Sequence, residues 1–156
     1  DANLGRAAAR AGRADEAREL LSAAIASLRE IDAGSFVVEV QARLAEAALF
    51  AGDAEGALAG ADEAEAITGT SAPPAVQALL HRIRGQALLL RGDEESAAQE
   101  FEESLRIARE GAMLYETALT LRARAKHTES EEDAEEAQRI FRELDVVDVP
   151  WLPWAT

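Results

Sequence analysis

The sequence contains no cysteine. That excludes disulfides, zinc–thiolate sites and thiol nucleophiles, and it fits a reducing, cytoplasmic setting. The only lysine is Lys126, and no Gly-rich turn ending in Gly-Lys-Ser/Thr surrounds it, so a P-loop is not expected. Aromatic residues make up 4% of the chain and β-branched ones are scarce, which argues against strands and against a dinucleotide fingerprint built on one. No apolar run approaches the roughly 20 residues that span a bilayer, and no signal-peptide pattern is present. Positive charge is also short, with 16 Lys and Arg against 30 Asp and Glu and a net charge of −14. Neither nucleic acid nor an anionic membrane is therefore expected as a direct partner. The chain opens on Asp1 with its first helix already mid-pattern. That suggests a segment of a longer protein, whose other parts hold any activity.

What remains is rich in alanine, leucine, glutamate, aspartate and arginine, over 156 residues. Ala, Leu, Glu and Arg lose little freedom in a helical turn, and the length suffices for a domain with a core. A repeat organises these residues. Ala17, Ala57, Ala97 and Ala137 share one spacing, as do Gly12, Gly52 and Gly92. Gly5, Ala45, Gly85 and Ala125 follow the same 40-residue step, always small. Leu21, Ala61, Phe101 and Phe141 follow it too, always apolar.

Each copy reads as two helices joined by a tight turn. Gly after a helical run suits the left-handed C′ position. The Asp that follows in Gly52-Asp53 and Gly92-Asp93 is placed to cap the next helix. The fourth copy lacks that Gly and the apolar run of Leu88, Leu89 and Leu90. Its first helix is expected to end near His127, with Ser130 capping the next and Asp133 at the capping-box position. The predicted helices cover about 2–11, 15–31, 35–51, 54–68, 74–91, 94–110, 113–127 and 131–144, with Pro73-Pro74 as the clearest break.

Apolar residues at spacings of three and four, such as Ala97, Phe101, Leu105 and Ala108, give each helix one face to bury. A single pair cannot bury its stripe alone, so the pairs must stack. The fold expected is all-α, a right-handed superhelical array of about four antiparallel helix pairs. The repeats fall at about 1–34, 35–72, 73–111 and 112–145, making one domain over 1–145, followed by a Pro/Trp tail over 146–156.

These residues resemble a tetratricopeptide (TPR) array. A TPR repeat has a small residue in the middle of helix A, Gly at the turn, Ala early in helix B and an aromatic one turn later. Gly85, Gly92, Ala97 and Phe101 supply that set, and Ala45, Gly52 and Ala57 supply most of it. The standard period is about 34 residues, so the step of 40 implies longer helices. Similar elongated repeats occur in sensor regions of bacterial signal-transduction ATPases. The segments Tyr115–Ala123 and Ala137–Val147 also resemble the last repeat of large regulators from high-GC bacteria. Those regulators include ATPase-linked class III adenylate or guanylate cyclases and LuxR-type transcription factors. None of their catalytic motifs occurs here, so no catalytic residue carries over.

In a TPR array, helix A lines the concave groove. The resemblance therefore puts Arg82 and Arg122, the register set Arg6, Glu46, Gln86 and Lys126, and Arg43 on one surface. A basic groove on an acidic body captures an acidic segment or a C-terminal carboxylate by charge-assisted bonds. The competing account is plain helix-surface arginines pairing with Glu one turn away.

Other candidates are weaker. His81 and His127 stand alone in different repeats, whereas a helical zinc site wants ligands one turn apart plus a third. The acidic run from Glu129 to Glu136 lacks the Gly-containing loop that wraps calcium and reads as a solvated helix start. No metal, cofactor or catalytic group is expected. Trp151 and Trp154 lie in the Pro-containing tail, where exposed indoles are sticky. The tail either folds back over the last helix pair, as terminal repeats require, or docks on another chain. The function expected is a protein-interaction scaffold rather than an enzyme, bound to a protein or peptide or to other parts of its own polypeptide. A groove that senses an anionic metabolite is the alternative, and a structural spacer is a third.

Overall fold

A computed structural model describes residues 2–68, 71–149 and 152. Among them the chain forms eight α-helices and no strand: α1 (Ala2–Arg10), α2 (Ala14–Glu30), α3 (Gly34–Phe50), α4 (Ala54–Thr68), α5 (Pro74–Leu90), α6 (Glu94–Glu110), α7 (Leu114–Thr128) and α8 (Glu131–Glu143). The all-α expectation holds, and the predicted helix limits fall within a few residues of these.

The turns explain the limits. Gly12, Gly52 and Gly92 adopt φ of 74°, 74° and 81°, where only glycine is unstrained. At each, the next residue closes a 6→1 bond back into the helix, as in Asp53 N–H to the Ala48 carbonyl at 2.9 Å and Asp93 N–H to Leu88 at 2.9 Å. Asp53 then accepts from the Gly56 N–H at 2.9 Å, and Asp93 from the Ser96 N–H at 3.1 Å. These are the caps expected at both turns. Elsewhere Asp32, Ala112 and Glu129 take the left-handed position without glycine, at φ of 53°, 51° and 54°. Lacking a counterpart of the Leu88–Leu90 run, α7 stops at Thr128 and turns at Glu129. Ser130 caps α8 by accepting from the Asp133 N–H at 3.2 Å. Pro74 opens α5 in its first turn, where no N–H is needed.

The chain divides into two compact units, one built on α1–α4 and the other on α5–α8. Within the first, α1 packs on α2, α3 on α4, α2 on α3 and α1 on α3. The second repeats the scheme with α5 on α6, α7 on α8, α6 on α7 and α5 on α7. So in each unit two hairpins stack, and their first helices touch.

The repeat columns are the core. Ala17, Ala57 and Ala97 are 0% exposed and Ala137 2%. Leu21, Ala61 and Phe101 are sealed, and Phe141 nearly so. The small column faces them. A Cβ added at Gly5 would lie 2.6 Å from Leu21 Cγ, and one at Gly85 would lie 2.9 Å from the Phe101 ring. The missing side chain therefore sets how closely the helices of a hairpin approach. In the second unit a polar contact ties three helices: Ser104 donates to the Ala78 carbonyl at 2.8 Å and meets Thr120 at 2.9 Å. Full burial makes that pairing necessary, because an unmet hydroxyl there is costly.

Candidate functional site

The first unit brings together Arg6 on α1 with Arg43 and Glu46 on α3. Gly5 lets α1 close on Leu21, so the next residue, Arg6, is drawn half into the surface. Arg43 sits between the sealed Ala42 and Ala45, and its own side chain is only 15% exposed. One helical turn on, Glu46 accepts from Arg43 Nη1 at 3.2 Å. The Nε atoms of both arginines are buried and make no hydrogen bond among the described residues. Burial first, and then the Arg43 charge, push the Arg6 guanidinium below its ordinary value. Glu46 partly offsets this, Arg10 lowers the value again and Glu39 raises it.

In the second unit Arg82 and Arg122, which occupy a different register column, are engaged. Arg82, 4% exposed on α5, donates through Nη1 to Glu116 of α7 at 2.5 Å. Arg122 on α7 donates to the Val149 carbonyl at 2.8 Å, and its guanidinium stands 5.9 Å from the centre of the Phe141 ring. Tyr115 meets the same ring edge-on at 6.2 Å. Burial pushes the Arg122 guanidinium down to about 10, with Tyr115 and Asp148 opposing and the nearby Arg82 charge adding to the effect. A ligand for the Arg82–Arg122 pair therefore has to displace Glu116 and the Val149 carbonyl.

Gln86 is half-buried on α5 and Lys126 is exposed on α7. Lys126 and Arg122 border a cavity of about 340 Å³ whose wall is largely apolar, from Ala125, Ala134, Ala137 and Phe141. At the start of the tail, Val146 and Val149 pack against the α7–α8 cluster of Leu121, Ile140 and Phe141. Trp151 and Trp154 lie outside the described residues.

Several pairings have no signal in the sequence. His81 meets Glu100 of α6 at 2.7 Å rather than a neighbour on its own helix. Arg124 clasps Asp133 at 2.6 and 2.8 Å and reaches Glu102 as well. Asp133, one member of the acidic run, thereby becomes a buried tie between α7 and α8, while the Glu102 arm to α6 is exposed. Gln41, also buried, donates to Glu63 of α4 at 2.8 Å. His81–Glu100, Arg124–Asp133 and Gln41–Glu63 each join the two helices of one hairpin, 9 to 22 residues apart, and meet once that hairpin closes, whereas Arg124–Glu102 crosses from one hairpin to the next. Among the described residues no group of three His, Asp or Glu side chains is arranged to hold a metal ion.

No protein-family model matches this sequence, and a comparison with curated proteins finds no match.

Proposed function

We propose that the chain is a protein-interaction scaffold, a TPR-like right-handed superhelix that serves as the sensory or assembly segment of a larger bacterial signalling or transcriptional regulator in the cytoplasm. Its partner is a protein or peptide with an acidic segment or C-terminal carboxylate, or another part of the same polypeptide. The observation that carries this reading is the contact between first helices, α1 on α3 and α5 on α7, with basic side chains at those contacts in a chain of net charge −14. An acidic body repels a second acidic chain, and basic side chains lower that repulsion where they lie. The stacked hairpins supply the long surface a peptide needs.

The test is a photo-crosslinking residue placed at Glu39 on α3 and, separately, at Glu19 on α2, both exposed. A partner trapped from position 39 and not from position 19 supports binding on the first-helix face. Equal trapping from both positions argues against it.

A second reading has one observation in its favour, the cavity beside Arg122 and Lys126. Its volume of about 340 Å³ falls within the range of small-ligand pockets. Its wall is largely apolar and its rim sets Arg122 and Lys126 beside Glu129 and Glu131, so an anionic metabolite with a hydrophobic body would place its acid group on the Arg122–Lys126 side.

A further inference from the structure

The Arg6–Arg43 pair presents an unusual balance. Among the described residues Glu46 is the carboxylate bonded at this pair, and it accepts from Arg43 Nη1 and not from Arg6. Both Nε–H groups are buried with no acceptor. A buried donor without a partner is costly, more so on a charged group. Proteins accept such a cost where something outside the chain completes the bonds. In the second unit Arg82 gives its Nη1 to Glu116 and Arg122 gives its Nη1 to the Val149 carbonyl, and neither Nε is buried unmet.

We infer that Arg6 and Arg43 form a carboxylate clamp: their guanidiniums, buried at Nε in the unbound chain, turn outward so that one carboxylate of the bound peptide accepts from the Nε–H edges of both. The inference rests on the scaffold reading for the source of that carboxylate, but the site itself is a property of α1 and α3. The planar fork of a guanidinium matches two carboxylate oxygens, which a lysine in either place would not do. In the unbound chain Glu46 holds the Arg43 plane in position, and it competes with the incoming acid, so the site selects a carboxylate able to reach past it. Depression of the Arg6 guanidinium by burial and by Arg43 has the sign an anion would reverse.

The experiment follows the arginine Nε–Hε signals of the whole chain by NMR. Sodium acetate and an acetylated tetraglutamate peptide are the probes, with sodium chloride at equal ionic strength as the control. The Arg6 and Arg43 signals are assigned from Arg6→Lys and Arg43→Lys, which keep the charge and lose the Nε–H. Both signals should move with acetate and with the peptide but not with chloride. Arg43→Gln should weaken peptide binding at least about tenfold, the usual consequence of losing a charge-assisted bond. Arg6→Lys should weaken it similarly, while a structural role alone would leave that conservative variant unaffected. Signals that move with acetate uphold the clamp even if the peptide adds nothing, in which case the scaffold reading is the part that fails. Signals that stay fixed with both probes, or move equally with chloride, overturn the clamp.

Discussion

Gly85 of α5 lies against the ring of Phe101 on α6, with room for a hydrogen and not for a methyl group. Both are buried, and the ring is fully enclosed, so it cannot swing aside. Two effects compete in Gly85→Ala. Helix propensity favours alanine by about 1 kcal/mol, while overpacking a filled core costs about 1–3 kcal/mol. The second should prevail, and the melting temperature should fall. In a Phe101→Leu background, where the planar ring is gone, the same substitution should cost less. A double-mutant cycle in denaturant measures the difference. Equal cost in both backgrounds would remove the ring as the cause.

The Arg82–Glu116 pair joins α5 to α7 with both side chains largely buried, at 5% and 13% exposure. Breaking it from one side strands the other charge. Glu116→Ala should therefore destabilise by about 3–5 kcal/mol. The double replacement Arg82→Met/Glu116→Leu should return most of that loss, because a buried ion pair is often no better than an apolar one of similar size. Chemical denaturation of the three variants checks this. A double variant as unstable as the single would assign the loss to packing rather than to charge.

The cap at Asp93 gives a pH dependence. Its bonds to Ser96, through side chain and backbone, hold the Asp93 carboxyl below its ordinary value, with a smaller contribution from Arg91. A depressed carboxyl stabilises the folded chain above the unfolded value of 3.8 and loses that contribution as pH falls through the folded one. Asp93→Ala should thus lower the melting temperature at pH 7 and leave a smaller gap from wild type at pH 2–3. A gap that stays constant across that range would contradict the account of the cap.

The hairpins were legible because each depends on local chemistry. Glycine and aspartate at Gly52-Asp53 and Gly92-Asp93 dictate a turn and a cap wherever they occur, and columns such as Ala17 to Ala137 report burial through repetition. The α7–α8 turn was harder to read, since Glu129 takes the left-handed position that glycine marks elsewhere. Fates of the individual arginines were not legible. Arg6, Arg43, Arg82 and Arg122 look alike in sequence, yet Glu116 closes on Arg82 from 34 residues away and the Val149 carbonyl closes on Arg122 from 27. The first partner is set by hairpin stacking and the second by the chain folding back after α8, and no spacing along one helix encodes either.

The central claim is that the first-helix face of the α1–α4 unit is where this chain binds its partner. A pull-down compares the wild type with Arg6→Gln/Arg43→Gln, after their melting temperatures are shown to match, and identifies retained proteins by mass spectrometry. The account predicts a protein held by the wild type and lost from the variant. The same protein held equally by both would contradict it.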